Sequence, residues 1–110
     1  MVRLTISIAS VLGLIEIANA ADGIASRYGR SSGARVACGG ELNESALTAA
    51  HRTLPCGSRA RVKNKQNGHS VVVTINDRGP FIKSRIIDLT PAAARALGFN
   101  GLAQVSVTPQ

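Results

Sequence analysis

Between Arg59 and Asn76 the chain is patterned as an antiparallel pair of strands, and no other stretch constrains the fold as much. Arg59-Ala-Arg-Val-Lys-Asn64 alternates polar and apolar residues with period two, the pattern of a strand with one face buried. His69-Ser-Val-Val-Val-Thr-Ile-Asn76 is β-branched almost throughout and reads as the return strand. Asn67-Gly68 lies between them, and both residue types tolerate positive φ, which predicts a tight hairpin turn. Gly23–Gly29, Arg85–Leu89 and Leu102–Thr108 read as further short strands. Leu47–His51 fits a strand or a single helical turn, and the Gly- and Ser-rich residues 30–40 read as loop. Thr90-Pro91 supplies an N-cap and a first helical residue, and Gly98 ends the two turns that follow. Eleven Gly and four Pro in 110 residues leave little room for long helices. Short strands, one short helix and abundant turns predict a mainly β domain that closes into a small barrel. There is no internal repeat or linker, so one domain is expected.

The N-terminus bears on compartment. Arg3 precedes the apolar run Leu4–Ile15, and Ala18-Asn-Ala20 offers a small-x-small cleavage site. This is the layout of a secretory leader over residues 1–20, with the folded domain at 21–110. The run is short for a permanent membrane span. No Cys stands at the cleavage site, so no lipid anchor or other stable membrane anchor is expected. An exported protein, periplasmic or secreted, follows from this reading. Cys38 and Cys56, an even pair, then predict a disulfide closing a loop of about twenty residues, worth about 3 kcal/mol. Zinc is the competing reading, since Cys38, His51, Cys56 and His69 alternate along the chain. Their spacings lack the close Cys pairing of structural zinc sites, and no metal or organic cofactor is expected.

The densest polar cluster is Ile75-Asn-Asp-Arg-Gly-Pro-Phe81, where a strand ends on a carboxylate and Gly79-Pro80 turns the chain. A carboxylate at a strand end of a rigid scaffold is well placed for a cleft. On local pattern alone, Asp77 could equally pair with Arg78 or cap a turn. Asp88, inside the apolar strand Ile86-Ile87-Asp88-Leu89, reads as a structural carboxylate in need of partners such as Arg78, Arg85 or a backbone amide. Glu41 and His51 are further acid, base or sugar-binding candidates, whereas His69 beside the turn reads as an ordinary hydrogen-bonded residue. No nucleophile elbow and no phosphate-cradling Gly-rich loop are present.

Four ordered segments carry a family resemblance. Gly23-Ile-Ala-Ser-x-Tyr-Gly29, Leu47-Thr-Ala-Ala-His-Arg-Thr-Leu-Pro55, Val71-Val-Val-x-Ile-Asn-Asp-Arg-Gly-Pro-Phe81 and Arg85-Ile-Ile-Asp-Leu-Thr-Pro-Ala-Ala-Ala-Arg-Ala-Leu-Gly98 resemble the rare lipoprotein A (RlpA) family across residues 21–110. The resemblance implies a six-stranded double-psi β-barrel with one or two short helices, as in expansins. It also implies a lytic transglycosylase that cuts peptidoglycan glycan strands, with a preference for strands stripped of stem peptides. It assigns Asp77 as the catalytic acid/base, with His51 and Glu41 positioning the sugar or tuning Asp77. Asn43, Tyr28 and Arg78 become substrate-binding candidates. The chain departs from the family in three ways: Arg27 replaces a frequent Trp, the Glu41–His51 segment is one residue shorter, and the Cys pair is absent from many members.

Such an enzyme uses the muramic acid's own 6-hydroxyl as nucleophile, leaving a 1,6-anhydro ring, so one residue can act first as acid and then as base. The alternative is a non-catalytic, expansin-like module that binds or loosens the wall. The net charge of +7, which the loss of Arg3 and Glu16 would leave unchanged, favours a polyanionic partner. Nucleic acid is not expected, because no nucleic-acid-binding motif accompanies that charge. The protein is expected to act as a monomer on peptidoglycan glycan strands.

Overall fold

The computed structural model describes residues 20–29 and 33–110; the leader expected at residues 1–20 lies, apart from Ala20, outside them. Six strands and one helix follow in the order β1 (Ala21–Arg27), β2 (Thr48–Ala50), β3 (Arg59–Asn64), β4 (Ser70–Asp77), β5 (Arg85–Leu89), α1 (Pro91–Leu97) and β6 (Leu102–Pro109). The strands close into a barrel in the order β1-β5-β2-β4-β3-β6. Among the described residues, closure gives each of the six strands a neighbour on both sides. β1/β5 and β2/β4 pair in parallel, and the other neighbours are antiparallel. This is the mixed six-stranded double-psi barrel that the resemblance implies.

The alternation read in β3 is the one observed. Ala60, Val62 and Asn64 point inward while Arg59, Arg61 and Lys63 face solvent. The lumen is filled by Val62, Val73, Ile75, Ile87, Leu89, Val105 and Val107, with Ala25, Ala49 and Ala60 where the barrel wall leaves less room. Leu47–His51, left open between strand and helical turn, contains the three-residue β2, wedged between β4 and β5 with Ala49 and Ala50 buried. α1 carries the caps its sequence predicts. The Thr90 side chain accepts from Ala93 N and donates to Ala46 O at 2.6 Å. Gly98 closes the helix in the left-handed region, where an L side chain is strained. The polar residue inside the barrel end, Asn64, is satisfied by donating to Leu97 O at 2.9 Å.

The hairpin differs from the sequence expectation. Lys65–Gly68 form a four-residue connection closed by the Asn64 N–H donating to His69 O at 2.8 Å. Within it Gly68 alone takes positive φ. Side-chain bonding explains the wider turn: Asn64 Oδ1 accepts from Gln66 N, Asn67 Oδ1 accepts from His69 N, and Asn67 Nδ2 reaches Leu97 O. Asn67 serves better as a tie to the helix than as a left-handed turn residue.

Cys38 and Cys56 form the expected disulfide, with Cα atoms 5.7 Å apart. It joins the loop before β2 to the loop after it, beside the C-terminal end of β4. Cys38 N donates to Asn76 O at 3.1 Å and Gly57 N to Ile75 O at 2.7 Å, so both linked loops are sewn onto that strand end.

Candidate active site

The C-terminal ends of β1 and β4, the face of β5 and the loop at residues 78–84 surround a cleft of about 340 Å³. Its polar lining includes Ser26, Arg27, Tyr28, Asp77, Arg78, Arg85 and Asp88, and Phe81 and Ile82 form its apolar side. A second concavity of about 230 Å³ lies beside the Asp22–Lys65 ion pair. That pair is solvent-exposed, its two charges are spent on each other at 2.9 Å, and Gly23, Ile24, Gln104 and Val105 complete the lining.

Asp77 ends β4, where the ladder gives way to the Gly79-Pro80 turn. Its Oδ1 accepts two backbone N–H groups, from Ala37 at 2.8 Å and from Arg78 at 2.9 Å. Oδ2 is the oxygen left toward the Tyr28 hydroxyl, 3.5 Å away. Two donors already occupy Oδ1, so any proton exchanged with a ligand must pass through Oδ2. Tyr28 is fixed by its own N–H donating to Leu89 O at 2.9 Å. Burial and the neighbouring carboxylates of Asp77 and Asp88 push its hydroxyl well above the ordinary tyrosine value, so it remains a proton-bearing donor.

Asp88 is the second carboxylate of the cleft, which the sequence reading treats as structural. The parallel register places Ser26 of β1 beside Asp88 of β5, and the Ser26 hydroxyl donates to Asp88 Oδ1. Burial raises the Asp88 carboxyl above its ordinary value, opposed by the Ser26 bond and the Arg85 charge and reinforced by Asp77. Of the groups expected at the site, Tyr28, Asp77 and Arg78 line the cleft, and Ser26, Asp88 and Arg85 join them. The signal for Asp88 was a carboxylate in an apolar strand. That for Ser26 lay only in strand pairing, across 62 positions of sequence.

Arg78 and Arg52 hold the two loops that border the cleft. The Arg78 guanidinium donates to His51 O at 2.9 Å and Leu54 O at 2.8 Å, and touches Cys56 Sγ at 3.5 Å. Its fork is therefore turned toward the loop after β2. Arg52, not singled out by sequence, reaches the other loop, donating to Pro80 O at 2.6 Å, Ile82 O at 2.9 Å and Arg85 O at 2.6 Å. Charge-assisted bonds to several carbonyls set a loop's path more firmly than one would.

His51 lies next to Asp77 through the backbone, its N–H donating to Asp77 O at 3.1 Å. Its imidazole Nδ1 accepts from the Thr53 and Leu54 N–H groups, both at 3.1 Å. The ring is thus a neutral cap for the loop, with its proton on Nε2. Burial lowers the His51 pKa, and the charges of Arg78 and Arg52 lower it further. The unfolded chain therefore takes up this proton first as the pH falls. We predict that stability declines as pH drops from about 7 through the ordinary imidazole value of about 6.5. His51→Ala should flatten that part of a urea-unfolding pH series; an unchanged slope would contradict the cap role.

Glu41 and Asn43 stand apart from the cleft lining. Glu41 is exposed and forms an isolated antiparallel bridge with Arg35. Asn43 Oδ1 accepts from Ser45 N at 3.0 Å, which makes it a turn residue of the loop before β2. Among the described residues no cluster of three or more His, Cys, Asp or Glu side chains could hold a metal ion.

The family model described as lytic transglycolase, a double-psi β-barrel family, matches residues 20–108. A relative from Synechocystis sp., named probable endolytic peptidoglycan transglycosylase RlpA, is 60% identical over 79 residues, covering 71% of this chain and 25% of the relative. The endolytic peptidoglycan transglycosylase RlpA of Pasteurella multocida is 52% identical over 83 residues, covering 74% of this chain and 28% of the relative. The chain thus spans about a quarter of the length of these curated relatives. Among solved structures, an expansin of Clavibacter michiganensis superposes with a TM-score of 0.65 at 22% identity, covering 83% of this chain and 50% of the expansin. That likeness bears on the fold alone.

Proposed function

The chain belongs to the lytic transglycolase family of double-psi β-barrels, and from that premise we propose that it cleaves peptidoglycan glycan strands endolytically at the cleft between Asp77 and Asp88. The bond broken joins C1 of a muramic acid residue to the O4 of the next sugar. The bond formed joins that C1 to the same residue's 6-hydroxyl oxygen, giving a 1,6-anhydro end. No water is consumed. One proton must reach the departing O4 and one must leave the 6-hydroxyl.

The observation that carries this reading is that two carboxylates share one cleft in different settings. Asp88, desolvated and raised in pKa, holds a proton to higher pH than an ordinary carboxyl and suits the donor role. Asp77, with Oδ1 committed to two amides and Oδ2 open, suits acceptance of the 6-hydroxyl proton. The family resemblance assigns both steps to Asp77; with Asp88 in the same cleft, the steps divide between them in this reading. The nucleophile belongs to the substrate, so the entropic demand on a small protein is modest.

Strands lacking stem peptides are the preferred substrate in this reading. Their lactyl carboxylates are free, and Arg27 and Arg85 line the cleft of a protein with net charge +7. The disulfide supports action outside the cytoplasm, in the periplasm or the medium. The test is incubation with amidase-treated and untreated peptidoglycan, followed by glycan chain-length analysis. Shortening that is faster on the stripped strands is expected. Tight binding with strand length unchanged after prolonged incubation would instead select a wall-binding module.

A further inference from the structure

The cleft has one feature that proton transfer does not use. Phe81 is 82% exposed, the most exposed large apolar side chain among the described residues, and it stands beside the carboxylates. A single exposed apolar residue on a protein surface needs no explanation. Phe81 differs in its setting. A Cβ built on Gly79 would lie 3.5 Å from Phe81 Cε2 and 3.8 Å from Asp88 Oδ2. Ring edge and carboxylate therefore face one small space, kept open because residue 79 has no side chain. Gly79 also has a φ of 124°, which L side chains rarely adopt. The ring is carried on a held loop, since the three carbonyls gripped by Arg52 (Pro80, Ile82 and Arg85) lie on both sides of Phe81 in the chain.

We propose that Phe81 is the stacking platform for one pyranose ring of the glycan strand, seating that sugar against Asp88. A pyranose ring is an amphipathic plate, with C–H bonds on its face and hydroxyls at its rim. Such a plate needs a flat apolar partner below it and hydrogen-bonding groups at its edge. Phe81 supplies the first, and Asp88 and Arg85 on the same cleft wall supply the second. An aromatic ring gives this area at little entropic cost, having two side-chain torsions to fix. The proposal rests on the glycan reading of the cleft and adds a binding residue to it.

The experiment uses soluble, stem-free glycan oligosaccharides prepared from peptidoglycan. Binding is measured in an Asp77→Asn background, so that no turnover intervenes, and steady-state kinetics with Asp77 intact. Phe81→Ala should weaken binding roughly three- to tenfold and raise KM by a similar factor, with kcat within about twofold. Phe81→Trp or Phe81→Tyr should restore binding, whereas Phe81→Leu, apolar but not flat, should not. The side chain is exposed, so all four variants should melt within a few degrees of the parent. Equal binding by the Phe81→Ala variant and its parent, or full recovery with Phe81→Leu, overturns the platform and leaves the glycan reading standing. A parent that binds no glycan overturns both.

Discussion

Asp77→Asn is expected to lower glycan cleavage by about 10²- to 10⁴-fold, the usual weight of a positioned acid–base group, with folding and glycan binding retained. The amide oxygen of the replacement can still accept the Ala37 and Arg78 N–H groups that Oδ1 accepts. Stability should then stay within about 1 kcal/mol of the parent. What is lost is the proton-accepting oxygen facing Tyr28. Asp77→Ala makes a poorer test, because it would leave two backbone donors without their acceptor, at about 1–3 kcal/mol each if they stay buried. Rates on stripped strands, with a urea-unfolding curve for each variant, separate the two effects. An active Asp77→Asn variant would remove Asp77 from the mechanism.

Asp88→Asn is expected to lower activity by a comparable factor and, at neutral pH, to make the protein more stable. The fold raises the Asp88 carboxyl above its ordinary value, so between the unfolded and folded values the native state holds more protons than the unfolded chain. Stability then falls as pH rises through that window. Below the ordinary carboxylate value, about 3.9, Asp88 is protonated in both states and this contribution no longer depends on pH. The neutral amide avoids the desolvated charge and can still accept from Ser26. The stability advantage of the variant should therefore widen as pH climbs above about 4, while wild-type activity falls once Asp88 loses its proton. A variant that stays active and loses stability at every pH would return Asp88 to a structural role. Gains in stability on neutralising a catalytic group are a familiar trade-off.

How far the sequence could be read depended on whether the signal was local. The β3 alternation, the Thr90-Pro91 cap and the Gly98 stop are each written within a few residues, and the structure shows them where they were read. Asp77 was legible because a strand end, a carboxylate and Gly79-Pro80 are adjacent in the chain. The Asn67-Gly68 turn was read too tightly, because Asn67 is bonded to Leu97, 30 residues away. Asp88 reads as structural from its strand alone; its place in the cleft lining comes from the parallel pairing of β5 with β1, which brings Ser26 beside it from 62 residues away. Arg52 lies within the Leu47–Pro55 segment, but its role was not legible, since its three acceptors are main-chain carbonyls, which any residues in that loop would present. Glu41 is a candidate on its carboxylate and on the resemblance, and Asn43 on the resemblance alone; neither signal carries the position of the loop before β2. The structure leaves both outside the cleft lining, one in a bridge with Arg35 and one in a turn.

The central claim, that the substrate's own 6-hydroxyl and not water takes the glycosyl bond, is tested most directly at the new chain ends. Stem-free glycan strands are digested with the wild-type protein and with the Asp77→Asn variant, and the fragments are weighed by mass spectrometry. The account predicts 1,6-anhydromuramic ends from the wild type and none from the variant. New reducing ends, heavier by one water, would contradict it; anhydro ends formed equally by the variant would keep the 6-hydroxyl route and remove Asp77 from it.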